Sequence, residues 1–201
     1  IPSLLLHIKK LNVESIVINF LHSYANPIHE QLCASLIREH LPNIPITLAS
    51  DIMPEIREFE RCNTAALNGY VQTRIMNYIN FLERELKKRK FSQKLLIMQG
   101  NGGMMDASHA VSNSVNTVMS GPAAGAIAAG YIGIKSGYHN LVACDMGGTS
   151  FDVSLVINGE PAITREKEID YSLPIHVPMI DIHTIGAGGG SIARLNDGGI
   201  L

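Results

Sequence analysis

Asp145-Met146-Gly147-Gly148-Thr149-Ser150-Phe151-Asp152 places two carboxylates, two adjacent glycines and two hydroxyls in one short segment. Together they suit phosphate. Adjacent glycines reach the positive backbone angles of a tight turn, and without side chains they let amide N–H groups approach an anion. Thr149 and Ser150 can donate to phosphate oxygens. Asp145, ending an apolar run, can hold a hydrated Mg²⁺ or orient a nucleophile, and Asp152 can act similarly or hydrogen-bond across the turn. The plain alternative is a Gly-Gly hairpin with solvated flanks, but acid–Gly–Gly–Thr closing a buried strand favours phosphate. No Gly-Lys-Ser/Thr follows at P-loop spacing, so this is not a P-loop. A β-branched residue at position 148 is expected to block both the turn and the anion.

A second glycine run, Gly186-Ala187-Gly188-Gly189-Gly190-Ser191, fits a nucleotide-facing loop, with Ser191 capping a helix whose N-terminus accepts an anion. The competing reading is a glycine turn needed for close packing. Asp181 and His183, two apart on an expected strand, share a face, and His176 is close in sequence. Oxygen and imidazole ligands suit a divalent metal, but two such residues more often hydrogen-bond. Arg57, Glu58, Glu60 and Arg61 crowd charge ahead of a long helical pattern, where such groups are usually solvated caps or weak ion pairs.

The elements that must position these residues read as alternating strands and helices. Ser15–His22 is a β-branched apolar run, Ile28–Leu41 a helix between Pro27 and Pro42, and Ile46–Ala49 a second strand. That spacing makes a βαβ unit with a parallel pair. Asn63–Arg89 places Leu67, Val71, Ile75, Tyr78, Leu82 and Leu86 on one expected core face, and Lys87–Lys90 complements its C-terminal end. Leu95–Met98 is a strand before the loop Gln99–Gly103. Gly121–Ser136 is a helix capped by Ser120, with Pro122 in its first turn and Ala124, Ala128 and Ala129 leaving room for a neighbouring backbone. Leu141–Cys144 and Val153–Ile157 bracket the Gly-Gly turn. Asn158-Gly159 is a strong hairpin signal, with Ala162–Thr164 returning from it.

Hydrophobic residues make up 46% of the 201 residues and charged residues 17%, with a formal net charge of -2. This is a globular composition with no basic field for nucleic acid. Cys33, Cys62 and Cys144 form no CxxC pair, which argues against a zinc ribbon or disulfide framework and suits a reducing cytoplasm. No apolar run nears the roughly 20 residues that span a bilayer. Ile1-Pro2-Ser3 carries neither an initiator Met nor a signal peptide, and Gly198-Gly199-Ile200-Leu201 stops abruptly. The chain is therefore read as an internal piece of a longer protein.

DMGGTSFDVSLV resembles the phosphate motif of the actin-like ATPase superfamily. Three further stretches are similar to the hydantoinase A/5-oxoprolinase family. They are Glu58–Thr64 with Gln99–Met105, then Ser120–Gly125, then Ile185–Ala193, in the family's order and at about its spacing from Pro27 onward. Phe151 and Cys62 stand where many members carry Thr or Ser. The resemblance implies an incomplete α/β, actin-like (ribonuclease H-like) fold. Residues 1–120 would be the C-terminal part of a first domain, and 121–201 an interdomain helix and the start of a second. It implies ATP with Mg²⁺ at Asp145, and ATP-dependent opening of a cyclic amide by carbonyl phosphorylation, usually with a B-type subunit. It also assigns nucleotide contacts to Gly147, Gly148, Thr149 and Ser150 and to Gly186, Gly188, Gly189, Gly190 and Ser191, with catalysis at Asp145 and Asp152. Related subunits of acetone- or acetophenone-type carboxylases, and actin-like switch or chaperone ATPases, are the alternatives. The family's earlier Asp-Val-Gly-Gly-Thr loop is missing, so this piece alone is expected to be inactive.

Overall fold

The computed structural model of the chain describes residues 2–169, 173–195 and 198–199. Ile1, Ile200 and Leu201, which figured in the reading of the chain ends, lie outside the described residues. The elements begin α1 (Pro2–Leu11), β1 (Ile16–Ile18), α2 (Ile28–His40), β2 (Ile46–Leu48), α3 (Ala49–Ile52) and α4 (Glu58–Lys88). Next come β3 (Leu96–Met98), β4 (Met104–Asp106), α5 (Ala107–Ser112), a 3₁₀ turn (Ser114–Thr117) and α6 (Ser120–Lys135). Then follow β5 (Leu141–Met146), β6 (Phe151–Ile157), β7 (Glu160–Pro161), β8 (Ile163–Thr164) and β9 (Lys167–Ile169). The last are β10 (Leu173–Ile175), β11 (Met179–Ile180) and β12 (Ile182–Ile185). The chain divides into two compact units: residues 1–99, 103–118 and 165–178, and residues 100–102, 119–164 and 179–201.

In the first unit β1 and β2 pair in parallel from Ile16 opposite Ile46 to Ile18 opposite Leu48, forming the expected βαβ unit. Leu5, Ile18, Ala34, Ile37, Leu41 and Leu48 make its core. β1 stops short of His22 because the chain turns there. His22 takes φ 58°, and the Phe20 amide donates to Glu30 Oε1 at 2.8 Å.

The long helix α4 starts ahead of Asn63, and its buried side is not the apolar stripe. Arg61, Thr64, Ala65, Asn68, Gly69, Gln72 and Ile79 are buried, while Tyr78 is 58% exposed. Hydrogen bonds explain the exchange of faces. Asn68 Nδ2 donates to Thr47 Oγ1 and to Ser112 O, and its Oδ1 accepts from the Val115 amide. Gln72 Nε2 donates to Val111 O. Polar side chains with their bonds made are tolerated inside, and apolar periodicity does not register them. Arg61 is fully buried. It donates Nη1 to Glu55 O and Nη2 to Phe20 O and the Glu58 carboxylate, and its guanidinium lies 5.5 Å from the Tyr24 ring centroid. The charge cluster read as solvated thus contains a buried ion pair. The β3–β4 hairpin, α5 and the 3₁₀ turn went unforeseen in sequence. Asp106 caps α5 by accepting from the His109 amide at 2.9 Å.

The second unit is a sheet of order β12-β6-β5, with β7 also pairing β6. α6 packs on one face: Ala123 and Ala126 meet Ile180 and Ile182, and Val156 is buried. Along β6 the buried residues are Ser154 and Val156, while Leu155 and Ile157 are 53% and 57% exposed. The close approach on α6 is at Gly130, where a Cβ would stand 2.6 Å from Gly159 O, and Ala128 is exposed instead. The α6 N-cap is Met119 in the left-handed region, without a side-chain hydrogen bond, so Ser120 does not cap the helix. Asn158 (φ 53°) and Gly159 (φ 84°) both take the positive angles of the two-residue hairpin turn. The returning strand is Glu160–Pro161, with the Ala162 amide donating on to Leu155 O at 3.0 Å, while Ile163–Thr164 pairs with β11 instead.

Candidate functional site

β5 and β6 are longer at the turn than their apolar cores. Each reaches its aspartate, so Asp145 and Asp152 sit directly opposite each other as a cross-strand pair. The turn proper shrinks to Gly147–Ser150, closed by the Gly147 amide donating to Ser150 O at 2.9 Å. Neither Gly147 nor Gly148 is among the glycines at positive φ, so this turn does not use the left-handed freedom expected of its glycines. A Cβ at Gly148 would meet nothing within 4 Å. Its side faces open space, where an anion can approach the backbone.

The two glycine segments come together. The Gly189 amide donates to Gly147 O at 2.9 Å, and the Gly190 amide to Gly148 O at 3.2 Å. Gly188 is buried. A Cβ on it would stand 2.7 Å from Gly147 O and 2.8 Å from Gly148 O, a backbone approach only glycine permits. Ser191 Oγ accepts from the Gly188 amide at 3.1 Å, and the Ser191 amide returns a bond to Gly188 O at 2.9 Å. No helix follows Ser191 among the described residues, so Ser191 closes its own loop and caps nothing. The later loop therefore spends the Gly189 and Gly190 amides on bracing the turn. The Gly148, Thr149 and Ser150 amides have no partner among the described residues, and Gly186 is exposed.

A cleft of about 480 Å³ opens beside this clasp, between the N-terminal half of α6 and the sheet. Pro122, Gly125 and Ala129 line the helix side, and Asp145, Asp152 and Ser154 the sheet side. Small residues on α6 leave room there that larger ones would fill. Thr184, which the sequence did not single out, lies opposite Asp152 on β12, and its Oγ1 donates to Asp152 Oδ1 at 2.6 Å. Only strand register reveals it, because no local spacing links positions 152 and 184. His183 pairs with Val153 and so stands on the opposite face of the sheet from Asp152. His176 belongs to the other unit. Its amide donates to Thr64 Oγ1 at 3.0 Å. Among the described residues no group of three or more His, Cys, Asp or Glu gathers as a metal cluster, and no helix is long and apolar enough to cross a membrane.

The model of the hydantoinase/oxoprolinase family matches residues 61–201. The chain is 33% identical to the caprolactamase subunit alpha of Pseudomonas jessenii over 97% of its own length and 28% of that protein. The crystal structure of that ATP-dependent caprolactamase superposes with a TM-score of 0.80 at 31% identity, covering 98% of this chain and 28% of the other. The nucleotide-free structure of acetone carboxylase, an ATP-dependent enzyme, gives a TM-score of 0.82 at 31% identity, covering 97% and 28%. A 5-oxoprolinase of Saccharomyces cerevisiae is 32% identical over 92% of this chain and 14% of its own length. The chain thus spans less than a third of each of these relatives.

Proposed function

Starting from a chain that belongs to the hydantoinase/oxoprolinase family, we propose that it forms part of the ATP-dependent subunit of a cyclic-amide hydrolase. The observation that carries this reading is the clasp: a Gly147–Ser150 turn with free amides at Gly148, Thr149 and Ser150, beside a cleft faced by Asp145 and Asp152. Free backbone amides on an exposed turn bind phosphate oxygens, and the hydroxyls of Thr149 and Ser150 add donors. The names of the relatives supply the reaction class. When bound, ATP supplies a phosphoryl group for the amide carbonyl oxygen, turning a poor electrophile into one that water attacks. Asp145 holds a hydrated Mg²⁺, which needs only one or two carboxylates beside the phosphates.

In this reading the units are parts of an actin-like fold. Residues 1–120 would then be the end of a first domain and 121–201 an interdomain helix and the start of a second, a division that differs from the compact units at residues 100–102 and 165–178. The whole protein works with a B-type subunit, as the subunit names among the relatives favour, and in the cytoplasm, as the free thiols Cys33, Cys62 and Cys144 favour. Activation of a ketone with bicarbonate is the second reading, favoured by the acetone carboxylase match. Asp145→Ala or Thr149→Ala in the full-length protein tests the site. Loss of ATP turnover with an unchanged circular dichroism spectrum is expected, and unchanged turnover in both variants removes the phosphate role.

A further inference from the structure

Two carboxylates directly opposite on neighbouring strands repel, and the structure treats the two members of this pair differently. Asp152 Oδ1 accepts the Thr184 hydroxyl at 2.6 Å, whereas the Asp145 carboxylate has no hydrogen-bond partner among the described residues. β12, which carries Thr184, runs straight on into the loop whose Gly189 and Gly190 amides hold the Gly147 and Gly148 carbonyls. One strand therefore fixes both the carboxylate and the turn beside it. We propose that Thr184 is a positioning residue. It holds Asp152 as the hydrogen-bonded member of the pair and leaves Asp145 alone to face the hydrated cation. This rests on the ATP reading given under Proposed function.

Hydrogen bonds to an ionised acceptor are the strong ones, so removing this donor should register. In the full-length protein, with any subunit that co-purifies, Thr184→Val is expected to raise the Mg²⁺ concentration for half-maximal ATP turnover about three- to tenfold. Thr184→Ser, which keeps the hydroxyl, restores the wild-type value. Asp152→Asn shifts the Mg²⁺ dependence in the same direction, and adding Thr184→Val to it changes little more, because the two act through one bond. An unchanged Mg²⁺ dependence in Thr184→Val, or a Thr184→Ser variant as impaired as Thr184→Val, overturns the proposal. Thermal unfolding of wild type, both single variants and the double variant, without nucleotide, reads the bond by itself. Coupled Tm shifts support it and additive shifts overturn it. A wild type without ATP turnover defeats the ATP reading and the cation role with it, an outcome separate from additive Tm shifts.

Discussion

A methyl group added at Gly148 would meet nothing within 4 Å, whereas one added at Gly188 would meet the Gly147 and Gly148 carbonyls at 2.7 and 2.8 Å. The steric demand therefore sits on the second glycine loop, although the sequence assigned it to the turn. Gly148→Ala is expected to fold with a Tm close to wild type and to lose ATP turnover, because its side chain enters the space an anion needs. Gly188→Ala is expected to lose about 1–3 kcal/mol of stability, since neither carbonyl yields cheaply. Denaturant unfolding of both variants checks the contrast, and equal stability would contradict it. The acid–Gly–Gly–Thr turn was legible because it is local. Thr184 was not, because its partner Asp152 is distant in sequence and only the pairing of β12 with β6 joins them.

At the scale of elements, α4 shows where periodicity misleads. The apolar spacing of Leu67, Val71 and Ile75 located the helix, and these residues are half-buried, Ile75 against the Ile79 core. The fully buried side next to them, however, is built from Arg61, Thr64, Asn68 and Gln72. Asn158-Gly159 succeeded because its turn geometry depends on those two residues alone. Of the short strands, those carrying Ile163 and His183 were expected, whereas β9, β10 and β11 escaped detection, since two or three residues carry no period. Arg61→Ala would leave the Phe20 and Glu55 carbonyls without their donor, while the partly exposed Glu58 carboxylate keeps the His22 amide. A loss of about 1–3 kcal/mol is expected in denaturant unfolding, and an unchanged stability would show the pair to be dispensable.

Glu30 makes the same part of the fold pH-sensitive. Burial alone would raise its carboxyl. Hydrogen bonds from the Ser50 hydroxyl and amide and from the Phe20 amide outweigh that and lower it below its ordinary value of 4.5. A carboxyl lowered on folding stabilises above its unfolded value and loses that contribution as pH falls through the folded one. The Tm gap between wild type and Glu30→Gln should thus be constant near neutrality and narrow below about pH 4.5. A gap that widens on acidification would contradict the assignment.

For the whole molecule, the family follows from a model that matches residues 61–201 and the mixed α/β architecture from structural matches along nearly the full chain. The substrate and the partner subunit belong to the scale of the relatives, of which the caprolactamase subunit alpha is about three and a half times this length. In the proposed function the two scales meet, because the Asp145–Asp152 clasp would spend ATP on opening a cyclic amide. The most direct measurement is ATP hydrolysis by the full-length protein with its partner subunit, assayed with hydantoins, 5-oxoproline, lactams and ketones in turn. The expected result is turnover stimulated by a cyclic amide and abolished by Asp145→Ala. ATP hydrolysis that no cyclic amide stimulates would contradict it.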